Sequence, residues 1–112
     1  MENIDWSDFT KVEIRVGTII EVEDFPEALK PAYKIKVDLG EEIGIKRSSA
    51  QITDLYTKAE LLGQQVIVVV NLSDKKIGSF ISECLITGFY RKDKSVVLAV
   101  PDKKIKNGSL LA

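Results

Sequence analysis

Residues 66–88 read VIVVVNLSDKKIGSFISECLITG, and this stretch decides how the rest of the chain is read. It opens with an unbroken β-branched run, Val66 to Val70. A short apolar run bounded by turn signals predicts a strand buried on both faces or in a closed sheet. The run stops at Asn71. A polar, basic, glycine-containing loop follows, and Cys84-Leu85-Ile86 resumes the apolar pattern. A stiff strand thus delivers Asn71, Lys75, Lys76, Ser82 and Glu83 to one edge of a barrel or sandwich, the kind of scaffold-held loop where function concentrates.

Upstream, residues 12–23 alternate, with Val12, Ile14, Val16, Ile20 and Val22 expected inside and a bulge or bend expected at Gly17. Pro26 and Pro31 make residues 25–31 a connector. Tyr33, Ile35, Val37 and Leu39 form the cleanest alternation, ended by Gly40. A hairpin through residues 40–42 should lead to a third strand over 43–47, with Ile43 and Ile45 buried. From Ser48 the apolar spacing turns helical. Thr57-Lys58-Ala59-Glu60 fits a capping box before Leu61, and Gly63 supplies the stop. Residues 83–90 and 95–100 read as a last hairpin, which Pro101 ends. Near the N-terminus, Trp6 and Phe9 lie three apart on a short helical turn.

The fold class expected is therefore all-β with a short helical insert. Five or six strands with the helix between the third and fourth is the order of an OB-fold, a partly open Greek-key barrel, here with terminal extensions. A β-sandwich is the alternative, but it does not call for a helix there. The 112 residues suit a single domain over 1–112.

Composition narrows the chemistry. The chain has no histidine and one cysteine, Cys84, which rules out histidine triads, histidine general bases and a structural zinc site. No paired-acid motif stands out, so an enzyme is not expected, nor a metal or cofactor. No signal peptide or membrane span is read, which places the chain in the cytoplasm without membrane insertion. The formal net charge of −1 argues against bulk attraction to nucleic acid. The charges are unevenly spread, however: residues 1–60 hold 13 acids and 8 bases, residues 61–112 hold 4 acids and 8 bases. The second half offers a local basic face for a polyanion.

Residues 9–19, FTKVEIRVGTI, together with YKIKVDLG at 33–40, SSAQI at 48–52 and GQQVIVVVNL at 63–72, resemble the tRNA-binding domain family of the EMAP II type, and most of all its free-standing, chaperone-type branch. The resemblance covers essentially the whole chain. It implies an OB-fold, a homodimer, and tRNA binding by shape and backbone. For the chaperone branch it implies unfolded or preprotein polypeptides and the export machinery as partners. The family positions carried over are Arg15, Asn71, Lys75, Lys76, Ser82 and Glu83; with Ser49 and Gln51, from the stretch after the third strand, they are the expected RNA- or peptide-binding residues. Trp6, Phe9, Pro101, Leu110 and Leu111 are the expected dimer interface, because apolar residues at the ends of a small domain call for a covering surface. The sequence departs from the synthetase-type pattern at Phe25, where the family has histidine, at Ser48-Ser49-Ala50-Gln51, where it has Ser-Gly, and at Cys84, where it has glycine. The implied function is a non-enzymatic homodimeric binding protein acting as a chaperone for exported or unfolded proteins, with a dimeric tRNA-binding module as the alternative. Of the aromatics, Phe80, Phe89 and Tyr90 are the candidates for stacking on a base.

Overall fold

The structure, a computed structural model, describes residues 1–112. A five-stranded antiparallel sheet in the order β3-β2-β1-β4-β7 forms the body. Its strands are β1 (Ile14–Asp24), β2 (Tyr33–Asp38), β3 (Ile45–Ala50), β4 (Gln65–Val69) and β7 (Leu85–Ile86). Two small hairpins complete it: β5 (Lys75–Ile77) with β6 (Phe80–Ser82), and β8 (Gly88–Tyr90) with β9 (Val96–Leu98). Three four-residue helices punctuate the chain: α1 (Trp6–Phe9), α2 (Gly40–Ile43) and α3 (Lys58–Leu61). The last lies between β3 and β4, as the OB-fold requires, and its capping box is formed. Glu60 N donates to Thr57 Oγ1 at 3.2 Å and Thr57 N donates to Glu60 Oε1 at 2.9 Å.

The core gathers on one face of each strand. Tyr33, Ile35, Val37 and Leu39 are all buried, as the alternation predicts, and Val66, Val68 and Val69 are buried on β4. Ile19, Leu61, Ile86 and Leu98 close the cluster.

The two ends of the sheet meet through side chains rather than a regular ladder. Glu83 N donates to Arg47 O at 2.8 Å. In return Arg47 N donates to Glu83 Oε1 at 3.0 Å, and Ser49 N donates to Ser82 Oγ at 3.1 Å. The Ser82-Glu83 pair thus supplies the acceptors that a neighbouring strand would have offered to the edge of β3, where an unmet buried N–H is costly.

Three expectations need correction. In the first half of β1 the inward residues are Arg15, Gly17 and Ile19, while Ile20 is exposed. The register slip lies between Ile19 and Glu21, three residues beyond the glycine. The outward apolar residues are not waste: Ile14 and Val16 are covered by the C-terminal tail. Gly108 N donates to Val16 O, Val16 N to Ser109 O and Leu111 N to Ile14 O. Gly17 is needed for close approach instead, since a Cβ there would lie 2.5 Å from Val37 Cγ1 and 2.7 Å from Leu39 Cδ2. Second, residues 40–43 are a helical turn rather than a tight hairpin loop, so β3 starts later, at Ile45, and Ile45 is 57% exposed. Third, β3 runs on through Ser48 and Ala50, which are the buried residues there. Ser48 enters the core because its Oγ donates to Cys84 O at 3.0 Å, a partner that hydrophobic periodicity cannot reveal.

Candidate functional site

The side of the barrel closed by side chains opens into a groove of about 560 Å³. One wall is the end of β3, with Ser49, Gln51 and Ile52. The other runs along β7 to Thr87 and Gly88, with Leu72 and Ser73 from the loop after β4, Lys75 from the start of β5, and Tyr90 at the rim. Nine of the sixteen lining residues are hydrophobic, and Lys75 is the one charged residue among them. Leu72 and Leu85 are half exposed and Tyr90 is 81% exposed, so the groove presents apolar surface outward.

Four of the eight binding residues expected from the sequence, Ser49, Gln51, Lys75 and Ser82, come together here. The other four lie elsewhere or are otherwise engaged. Lys76 alternates to the other face of β5, opposite Ile81, and is exposed. Asn71 is a staple: its Nδ2 donates to Lys11 O at 2.6 Å and its Oδ1 accepts from Glu13 N at 2.8 Å, which ties the incoming N-terminal segment to the end of β4. Glu83 is held by Arg47, whose Nε donates to Oε1 at 3.3 Å. Partial burial pushes the Glu83 carboxyl up, but the bonds from Arg47 N and its guanidinium outweigh this and hold it below the usual carboxylate range. Arg15 is only 9% exposed. It donates through Nε to Glu13 Oε2 at 3.1 Å and through NH1 to Gly108 O at 2.8 Å, with Glu42 Oε2 at 3.5 Å, and so pins the tail.

The sequence reading did not single out Leu72 and Leu85. For Leu72 the signal available was a large apolar residue inside an otherwise polar loop; Leu85, inside an apolar segment, carried none. It also passed over Arg47, whose guanidinium lies 5.6 Å from the Phe80 ring centroid, with Phe80 packed on Phe25 at 5.3 Å. Phe80 is thereby occupied on the protein's own side. Phe89 and Tyr90 are exposed, and only Tyr90 reaches the groove. Cys84 lines the groove too, but burial, reinforced by nearby Glu83, pushes its thiol up to about 12, so it stays protonated and unreactive.

The charge pattern is sharper than the counts suggested. Lys11, Arg15, Lys34, Lys36, Arg47 and Lys58 all form ion pairs. None of the eight bases after residue 60 lies within 4 Å of a carboxylate oxygen; among them are Lys75, Lys76, Arg91, Lys92 and Lys94 around the two hairpins.

The N-terminal aromatics do not close the core. Trp6 is 74% exposed and packs against Phe9 with the rings tilted, centroids 5.5 Å apart. Pro101, Leu110 and Leu111 line a second groove of about 600 Å³, floored by Ile14, Val16 and Ile67. No helix is long and apolar enough to cross a membrane.

Comparison with known proteins agrees with this architecture. A family profile described as "Putative tRNA binding domain" matches residues 14–110. The crystal structure of the CsaA chaperone protein from Picrophilus torridus superposes with a TM-score of 0.93 at 49% identity, covering 98% of this chain and all of that one. That of chaperone CsaA from Bacillus anthracis gives 0.93 at 38% identity, covering 99% and 100%. The methionine–tRNA ligase of Pyrococcus horikoshii is 39% identical over 109 residues, 97% of this chain but 14% of the ligase. The chain thus spans a small part of the length of the curated relatives it matches.

Proposed function

The chain belongs to the tRNA-binding domain family, and on that premise we propose that it is a non-catalytic, homodimeric binding protein of the CsaA type that acts as a cytoplasmic chaperone for unfolded or exported polypeptides. The observation that carries this reading is the groove beside β3, with its apolar floor and the half-exposed Leu72 and Leu85 at its walls. Contiguous apolar surface in a folded domain fits a partner that brings apolar side chains of its own. The similarity to CsaA chaperones along the full length of both chains supports it. The export machinery is the partner that would receive such a polypeptide.

A second reading, a tRNA-binding module, is favoured by the unpaired bases of the second half. Cations free of internal partners are available to phosphates, and release of counterions makes such binding steeply salt-dependent. The experiment is a titration with bulk tRNA at two salt concentrations, with an unfolded polypeptide as competitor. Polypeptide binding that survives salt, with no tRNA bound even at low salt, supports the chaperone reading. Binding of tRNA that weakens with salt and resists the polypeptide replaces it with the second.

A further inference from the structure

An apolar floor is all that a polypeptide holdase requires of the groove. The groove holds more than that. Ser49, Gln51, Ser73 and Lys75 line it, and their side chains have no hydrogen-bond or ion-pair partner in the chain, unlike those of Ser82 and Thr87, which are committed to main-chain partners. A neutral amide, two hydroxyls and one ammonium are thus left facing a space bounded by leucine side chains and a tyrosine ring.

From this we infer that the groove is a site for one unpaired nucleotide of an RNA. The inference rests on the tRNA reading and specifies what part of the RNA is held. Its volume of about 560 Å³ lies in the range of pockets that enclose small-molecule ligands, and its make-up, apolar walls with a few convergent polar groups, is of that kind. The base stacks on Tyr90, which is exposed at the rim, and Leu72 and Leu85 add apolar surface to the lining. Aromatic stacking of this sort tolerates any base. Gln51 offers a donor and an acceptor side by side, the arrangement that pairs with the N6/N7 edge of adenine. Lys75, the one charge in the lining, meets the single phosphate of that nucleotide, while Arg91, Lys92 and Lys94 on the neighbouring hairpin lie along the continuing backbone. Duplex RNA cannot use the groove, because its bases are stacked and its readable edges lie in a narrow groove. A splayed loop base can.

The test uses two RNA probes of equal length, a hairpin with one unpaired 2-aminopurine in its loop and a fully paired duplex, alongside bulk tRNA. The hairpin should bind at least about tenfold tighter than the duplex, and its 2-aminopurine fluorescence should be quenched on binding. Tyr90→Ala should lose about tenfold in hairpin affinity and the quenching, while Tyr90→Phe keeps both. Tyr90 is on the surface, so loss of folding does not confuse the result. Gln51→Ala should weaken adenine-loop hairpins more than uracil-loop ones. If tRNA binds but hairpin and duplex bind equally without quenching, the nucleotide site is wrong and the tRNA reading stands. If neither tRNA nor hairpin binds at low salt, the tRNA reading fails and takes this inference with it.

Discussion

Glu83 holds Arg47 twice through one oxygen: Oε1 accepts from Arg47 N at 3.0 Å and from Arg47 Nε at 3.3 Å. The same carboxylate therefore replaces a missing strand at the edge of β3 and orients the guanidinium over Phe80. Removing it leaves a half-buried backbone N–H without an acceptor. Glu83→Ala should lower stability by about 1–2 kcal/mol, and Glu83→Gln, which keeps one acceptor, by less. Urea unfolding midpoints of the two variants give the comparison. Equal midpoints for wild type and Glu83→Ala would show that the barrel closes without this bond.

The same bond carries a pH dependence with a definite sign. Glu83 is held below its ordinary carboxylate value in the folded chain. The charged form is therefore favoured by folding, and this stabilisation is complete above about pH 4.3, the value in an unfolded chain, and fades as pH falls toward the lowered folded value. Wild type should lose stability through that acid window more steeply than Glu83→Gln. Parallel curves for the two would assign the acid sensitivity to other carboxylates.

Asn71, 60 residues from Lys11 in sequence, fixes the approach to β1 by accepting from one main-chain group and donating to another. Asn71→Ala should release residues 11–13, at a cost of about 1–2 kcal/mol for two lost bonds. Amide exchange at Glu13 should speed up while the core of β2 stays protected. Asn71→Asp keeps the acceptor for Glu13 N, so Glu13 protection should largely return.

Lys75 and Lys76 test the basic face. Each ammonium that meets a phosphate contributes close to one counterion to the salt slope. Under the tRNA reading, Lys75→Ala with Lys76→Ala should reduce the slope of log affinity against log salt by about 1–2 and weaken different RNAs to a similar degree. Under the chaperone reading, in which polypeptide binding rests on the apolar floor, that binding should change little. An unaltered slope would take the hairpin out of the RNA interface.

What the sequence made legible follows from which forces leave a periodic trace. β2 alternates strictly because one face meets the core and the other water, and its inward residues were named correctly. The capping box at Thr57 and Glu60 is a local device with a local signature. The first half of β1 misled because both faces are covered, one by the core and one by the tail through Val16. Alternation then carries no inside-or-outside information, and Arg15 could be inward because Glu13 and Gly108 wait for it. Of the residues that line the groove, the sequence pointed to Ser49, Gln51, Lys75 and Ser82. It did not point to Leu72 and Leu85, since an exposed leucine looks like a buried one until its neighbours are known.

The terminal apolar residues bear on assembly. Trp6 and Phe9 precede β1, and the tail that carries Leu110 and Leu111 pairs with the start of β1 through Leu111 N and Ile14 O, so both patches flank the same strand end. A twofold contact there would bury Trp6, the half-exposed leucines and the groove beside Pro101 together, and self-association through one patch on each copy is the symmetry a dimer needs. Wild type should be dimeric at micromolar concentration by light scattering. Trp6→Ala with Phe9→Ala, or Leu110→Ser with Leu111→Ser, should shift it toward monomer, because aromatic anchors at an interface commonly carry about 2 kcal/mol or more each. All four side chains are exposed and lie outside the core cluster, so both double variants should stay folded. A wild-type monomer at tens of micromolar (on the order of 10⁻⁵ M, weaker than most stable homodimers) would leave these surfaces to another partner.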